Sequence, residues 1–320
     1  MRQIVVDAPN ARPVLHQAPE PRPGPDEVRV RITACGLNFA DLLMIEGRYQ
    51  SMPGWPLTPG LEVAGVVEET GPGVLRPSVG TPVAVFTGHG GLAEVGVFPA
   101  DRCVPLPRGI DPIIAAGFQI AYGTSHLALT HVARLQQGET LLVLGAAGGV
   151  GLTAVELGAL MGARVIAAAR GADKLAVARA AGAQHLLDTD AVDIRTAVGD
   201  LGGADVVYDP IGGPAFGAAM RATRPGGRML IIGFAGGEVQ QIPANHLLVK
   251  NITAAGFYWG GYLNFAPDLL HASLSTLFGW LSARRLRPHV SHVLPLDRTE
   301  EGLFLLRSRK ATGKVVITMD

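Results

Sequence analysis

A chain of 320 residues, 48% hydrophobic and only 17% charged, exceeds the roughly 250–300 residues at which a single core stops growing, so two domains are expected. Lys plus Arg and Asp plus Glu both number 27, which leaves no net field of the kind that draws a protein to nucleic acid or anionic membrane. No apolar stretch reaches the roughly 18–20 residues of a membrane span, and the opening MRQIVVDAPNARP lacks the basic-then-apolar order of a secretory leader; a cytoplasmic location is expected.

In chain order, residues 1–119 carry short β-like runs parted by proline and glycine turns: VRVRITA from Val28, EVAGVVEE from Glu62 and TPVAVF from Thr81. Val28, Val30, Ile32 and Ala34 place one apolar face at a period of two, as a half-buried antiparallel strand requires. From 120 to 261 the texture becomes apolar strand, glycine turn and alanine-rich helix, repeated through LLVLG, RVIAAA, ADVVYD and RMLIIGF. Continuous apolar strands alternating with helices predict a doubly wound parallel sheet, an α/β domain covered on both faces. Residues 262–320 hold the helical run APDLLHASLSTLFGWLSARRL and two strand-like runs, HVSHVLPL and KVVITM, and are expected to complete the first domain. The 42 glycines and 23 prolines punctuate apolar runs and read as turns. Two cysteines, Cys35 and Cys103, are too few for a disulfide framework and are expected to be buried free thiols.

The run ETLLVLGAAGGVGLTAVELGALMGARVIAAAR, Glu139 to Arg170, holds strand, glycine turn, helix and second strand in one unit. In a dinucleotide loop one glycine lets the backbone approach the pyrophosphate and another lets helix pack on strand. Gly148 and Gly151 fit these places, with Ala146 where the first glycine of the usual fingerprint stands. A helix starting near Val150 would aim its free N–H groups and positive dipole end at the phosphates; a turn made only for packing is the plain alternative. About 20 residues beyond such a loop, an NAD enzyme places Asp or Glu for the ribose hydroxyls. Here stand Ala169 and Arg170, with Lys174 four further on. No carboxylate repels a 2′-phosphate, and the guanidinium fork matches its oxygens, so NADPH is expected over NADH unless these are ordinary solvated charges.

Segments spread over nearly the whole chain carry a resemblance: ITACGLNFADLLMIEGRY from Ile32, PGLEVAGVV from Pro59, AYGTSHLAL from Ala121, ETLLVLGAAGGVG, and ATGKVVI from Ala311. Together they resemble the medium-chain dehydrogenase/reductase superfamily, within it the zinc-free quinone oxidoreductase branch that includes zeta-crystallin. The resemblance implies a Rossmann domain inserted into a GroES-like, mostly antiparallel β domain, and a homodimer joined through the edge of the cofactor sheet, with RMLIIGF and ITAAGFYW as candidate strands. It implies a cleft beside the nicotinamide lined by Asn38, Asp41 and Tyr49, with Tyr49 orienting the substrate carbonyl and Asn38 donating a hydrogen bond. For Asp41 a helix-capping role weighs equally. Cofactor contacts carried over in the same way are Asn38, Thr124 and His126; Gly148, Gly149, Val150 and Gly151 at the pyrophosphate; Gly233, Phe234 and Ala235 after RMLII; and Phe257, Tyr258 and Trp259 toward the nicotinamide. Thr189 departs from relatives that have a tyrosine near the 2′-phosphate, and Lys310 is a further candidate to reach that phosphate.

The superfamily's zinc alcohol dehydrogenases hold their metal with Cys, His and a further Cys or acidic residue. In this chain Asn38 stands at the first of those places and Leu61 at the histidine, and neither ligates zinc as thiolate or imidazole does. The nine histidines, His89, His126 and His131 among them, lack metal-ligand spacing, so no metal is expected. Without a Lewis acid, reduction of an isolated ketone is disfavoured, whereas a quinone or α,β-unsaturated carbonyl spreads the new charge over a conjugated system. The expected reaction is therefore NADPH-dependent reduction of such an acceptor, with positioning dominant. An enoyl-thioester or other activated-alkene reductase of the same fold, and a non-enzymatic NADPH-binding protein of crystallin-like or RNA-binding kind, are the alternatives.

Overall fold

A computed structural model describes residues 1–320, which divide into two units: Met1–Ile120 with Pro288–Asp320, and Ala121–Arg287. The first unit opens with an antiparallel pair, β1 (Arg2–Val5) and β2 (Val14–Gln17). Next comes the 11-residue β3 (Glu27–Leu37). The alternation read in the sequence lies here: Val28, Val30, Ile32 and Ala34 are buried, while Arg31 and Thr33 face solvent. A short helix α1 (Phe39–Ile45) leads to β4 (Glu62–Thr70), β5 (Pro82–Phe86), β6 (Val95–Pro99), β7 (Cys103–Pro105) and helix α2 (Pro112–Ala116). Cys35 and Cys103 are both free and buried.

The boundary of the second unit falls in the first turn of α3 (Gln119–Leu127). Beyond it β8 (Thr140–Leu144), α4 (Gly149–Leu160), β9 (Arg164–Ala169), α5 (Ala172–Ala180), β10 (His185–Asp188) and α6 (Ile194–Asp200) follow in strict alternation. The pattern continues through β11 (Ala204–Asp209), α7 (Gly213–Ala222), β12 (Thr223–Ile231), α8 (Ala244–Lys250) and β13 (Thr253–Gly256). The six strands pair in the order β10-β9-β8-β11-β12-β13, every pair parallel. All five residues of β8 are buried, as a strand covered on both faces must be. Strand order reverses between β8 and β11, the point where doubly wound sheets bind ligands at the carboxyl ends of their strands.

The chain was expected to leave this unit at residue 262, but it does so at Pro288. Helices α9 (Tyr262–Phe265) and α10 (Pro267–Ser282) stay in the second unit. The reason is packing: Leu270, Leu274, Leu277 and Phe278 of α10 are buried, and Ser273 Oγ lies 2.8 Å from His126 Nδ1 on α3. Only β14 (Val290–Pro295), α11 (Thr299–Arg307) and β15 (Lys314–Thr318) return. They complete the first unit's seven-stranded sheet, ordered β14-β15-β3-β4-β5-β7 with β6 also on β3. All its pairs are antiparallel except β14 with β15. No helix is long and apolar enough to cross a membrane.

Candidate functional site

In the second unit, β8 ends at Leu144 and the chain turns through Gly145 at φ +58°, a left-handed conformation that glycine adopts without strain. The Gly148 N–H donates to the Gly145 carbonyl at 2.9 Å and closes the turn. A Cβ on Gly151 would lie 2.2 Å from the Gly145 oxygen, so α4 can pass this close to the strand end only with glycine there. On Gly148 a Cβ would meet nothing nearer than the same oxygen at 3.3 Å, which leaves that side of the turn open to a ligand. The first bond of α4 runs from the Leu152 N–H to the Gly148 carbonyl, so the N–H groups of Gly149, Val150 and Gly151 have no acceptor within the helix. They crown the positive end of a 12-residue helix, an arrangement whose polarity suits an anion such as a phosphate. Sequence reasoning placed Gly148 and Gly151 here and missed Gly145, for which a glycine directly after the apolar run LLVL was the available signal.

β9 ends at Ala169, and Arg170 follows it, exposed. Asp188 of β10 pairs in register with Ala169, so Thr189, whose N–H donates to the Ala169 carbonyl at 3.1 Å, sits at the neighbouring strand end. Lys174 lies in the first turn of α5 beside them. Asp188 also brings a carboxylate to this rim, its Oδ1 accepting the Gly171 N–H at 3.2 Å. After β12, the loop holding Gly233, Phe234 and Ala235 is tied to the end of β11 by Ala235 N–H to Pro210 O at 3.0 Å and Gly236 N–H to Ile211 O at 2.8 Å. Asp209 stiffens the same turn by accepting the Ile211 N–H at 2.8 Å and the Gly212 N–H at 3.0 Å. Phe257 and Trp259 are buried after β13, and Tyr258 between them is exposed.

Thr124 is buried in α3. His126 is expected to touch the cofactor, but Nδ1 is engaged by Ser273 and the ring meets Trp280 edge-on at 5.4 Å, and burial lowers its pKa. Its position is explained by holding α3 to α10. Lys310 belongs to the first unit, where its Nζ lies 5.7 Å above the Phe304 ring.

The first unit contains a buried polar cluster built from distant residues. Antiparallel pairing sets β15 beside the end of β3 and β4 on its other side, which brings Lys314, Asn38 and Glu62 together. Lys314 Nζ donates to Leu37 O at 2.7 Å, Asn38 Oδ1 at 2.8 Å and Glu62 Oε1 at 2.8 Å, so all three of its protons are placed. Glu62 is fully buried; its Oε2 accepts the Ile120 N–H at 3.0 Å, and its Oε1 also accepts Asn38 Nδ2 at 3.0 Å. The second Asn38 amide proton goes to Gly36 O at 3.1 Å. Asn38 therefore has no amide proton left for a substrate, which corrects the expected donor role.

Asp41, expected to line a cleft, is fully buried. One oxygen accepts the Asn38 N–H and the other the Gly60 N–H, each at 2.8 Å. The helix-capping alternative explains its place: it is the third residue of α1 reaching back to the cap. Burial outweighs these donors and pushes its pKa up to about 7. Leu61 is buried in an apolar cluster with Met44 and Leu57, against which Tyr49 packs. Sequence reasoning missed Lys314 and Glu62; a lysine opening an apolar strand was the available signal.

A parallel sheet with a glycine turn at its switch point is the architecture of a nucleotide-binding domain, here in one chain with a mostly antiparallel unit that holds a buried polar cluster. Residues 24–108 match the alcohol dehydrogenase GroES-like domain family and residues 149–274 the zinc-binding dehydrogenase family. The chain belongs to the medium-chain dehydrogenase/reductase superfamily, in its quinone oxidoreductase branch, and is an oxidoreductase of the nicotinamide-cofactor kind. It is 37% identical to quinone oxidoreductase-like protein 2 of Bos taurus over 96% of this chain and 90% of that one. Among solved structures it resembles the quinone oxidoreductase of Thermus thermophilus, solved also with NADPH, at a TM-score of 0.90 and 34% identity over the whole of both chains. A mycobacterial protein complexed with NADPH gives a TM-score of 0.93 at 27% identity over 99% of each chain. The metal in the second family's description does not fit these residues: no three His, Cys, Asp or Glu side chains are grouped to hold a metal ion. Asn38 and Leu61, which the resemblance sets where the zinc enzymes have ligands, are committed to an ammonium cluster and an apolar cluster.

Proposed function

We propose that the chain reduces quinones or other conjugated carbonyls with NADPH and without a metal. The observation that supports the cofactor is the turn of Gly145, Gly148 and Gly151, in which Gly151 lets α4 approach the strand end and Gly148 leaves the side beyond it open. The free N–H groups of Gly149, Val150 and Gly151 hold the pyrophosphate. Arg170 and Lys174 face the 2′-phosphate as charge-assisted donors, with Thr189 on the next strand end. NADPH, when bound, supplies the hydride. The chain's own part is to bind, orient and exclude water.

Support for metal independence comes from the first unit. Its zinc-ligand positions are filled by Asn38 and Leu61, and a fixed ammonium on Lys314 neutralises Glu62. Asn38 and Asp41 act as scaffold, keeping the start of α1 in place. Tyr49 is the residue proposed to orient the substrate carbonyl, and the product oxygen takes its proton from water. An acceptor whose new charge is delocalised suits a chain with so few donors.

Homodimerisation is proposed through the outer edge of β13, which pairs only with β12; the neighbouring Leu248 and Val249 are exposed. Sedimentation velocity tests it, and a concentration-independent monomer would refute it. The catalytic reading is tested by loss of NADPH absorbance, with NADH in parallel, against quinones, enones, simple ketones and enoyl thioesters under metal chelation. Chelator-resistant turnover of quinones or enones is expected. Turnover confined to simple ketones and abolished by chelation would overturn it.

A further inference from the structure

Against the first turn of α4, three hydroxyls from three elements meet. Tyr208 of β11 and Ser125 of α3 are fully buried, and Thr153 of α4 is nearly so. Ser125 Oγ lies 2.9 Å from Tyr208 OH and 2.8 Å from Thr153 Oγ1, and 3.0 Å from the carbonyl oxygen of Val150. Thr153 Oγ1 lies 2.9 Å from the same Val150 oxygen and 3.0 Å from Ala121 O. The donors can be counted. Tyr208 has only Ser125 as an acceptor, so its O–H points there. Ser125 in turn donates to Val150 O or Thr153, and Thr153 donates to Val150 O or Ala121 O. The chain of protons therefore starts at Tyr208 and ends on backbone carbonyls, Val150 O in the first turn of α4 or Ala121 O in α3.

The Val150 carbonyl and the Gly151 N–H belong to one planar peptide unit. Gripping the carbonyl therefore fixes the direction of the N–H, and polarising the C=O strengthens the N–H as a donor. We propose that Tyr208, Ser125 and Thr153 are positioning residues for the dinucleotide: a buried hydroxyl chain that acts through the Val150–Gly151 peptide to aim the Gly151 N–H at the pyrophosphate. The proposal rests on the cofactor reading above and deepens it. It separates these three residues from ordinary core polar groups, because the carbonyl they hold already has its helical partner position four residues on and does not need them for satisfaction.

The test uses the full chain with Tyr208→Phe, Thr153→Val and Thr153→Ser, read by NADPH affinity and by competition with 2′-AMP. The latter carries no 5′-phosphate and does not touch the glycine turn. Tyr208→Phe and Thr153→Val are each expected to raise the NADPH Kd about 5- to 10-fold, the loss of one hydrogen bond's worth of orientation. The 2′-AMP constant should stay within about twofold, kcat at saturating NADPH should be unchanged, and Thr153→Ser, which keeps the hydroxyl, should bind as the wild type does. An unchanged NADPH Kd in both hydroxyl-free variants would overturn the proposal. So would equal weakening of NADPH and 2′-AMP, which would mean general damage to the second unit. A wild-type chain that binds neither NADPH nor NADH would fail before any variant is made, and that result refutes the cofactor reading itself together with the relay.

Discussion

Replacing Lys314 with Met removes a cation but leaves a side chain of similar length. Three acceptors then lose a donor: Leu37 O, Asn38 Oδ1 and Glu62 Oε1, which held Nζ at 2.7, 2.8 and 2.8 Å. Glu62, with no exposed surface, keeps only Asn38 Nδ2 and the Ile120 N–H. Breaking a buried pair in this way costs about 3–5 kcal/mol.

Lys314→Met is therefore expected to destabilise the first unit by about 3–5 kcal/mol at pH 7. Hydrogen exchange read peptide by peptide separates the two units. Amides of β3, β4 and β15 should exchange at least roughly 100-fold faster in the variant at pH 7, after correction for intrinsic rates, while those of β8 and β11 should not change. A cost below about 1 kcal/mol would refute the reasoning that a buried ion pair holds these strands together.

Gly151→Ala would set a methyl 2.2 Å from Gly145 O and 2.9 Å from its carbon; backbone must shift, so the NADPH Kd should rise more than about 10-fold with a loss of roughly 1–3 kcal/mol in the second unit, read by calorimetric titration and thermal unfolding. Arg170→Ala should weaken NADPH about 10-fold, some 1.4 kcal/mol, and leave NADH unchanged, a ratio that steady-state kinetics with both nucleotides measures. Asp41, held protonated up to about 7 by burial, favours the fold when neutral. The first unit should therefore lose up to about 4 kcal/mol between pH 4 and pH 7 and no more above that. Asp41→Asn should abolish this slope in denaturant titrations across the window, at a lower absolute stability, because an amide accepts only one of the two N–H groups.

What could be read from the sequence and what could not divide along one physical line. Val28 to Ala34 and the run from Glu139 to Arg170 declare themselves because their information is local: a period of two, or a strand, a turn and a helix within one stretch of chain. The GroES-like and Rossmann segments were legible for the same reason. The end of the second unit was not, because α10 has one apolar face and periodicity reports only that the face is covered. That His126 and Ser273 meet decides the matter, and they are 147 positions apart.

The first-unit cluster is harder still. Lys314 and Glu62 lie 252 positions apart and become neighbours only through the register of two antiparallel pairings. Asn38 was read as a donor from its place in a motif, but its donors are spent on groups that only the sheet brings within reach. The same holds for Tyr208, Ser125 and Thr153: each is an unremarked hydroxyl in an apolar stretch until three elements converge. Sequence located the glycine turn; the contacts that would set the aim of its N–H groups come from residues that no local pattern marks. Function in such a chain is therefore expected to be sensitive to conservative changes, such as the loss of one buried oxygen at Tyr208, well outside the motif that identifies it.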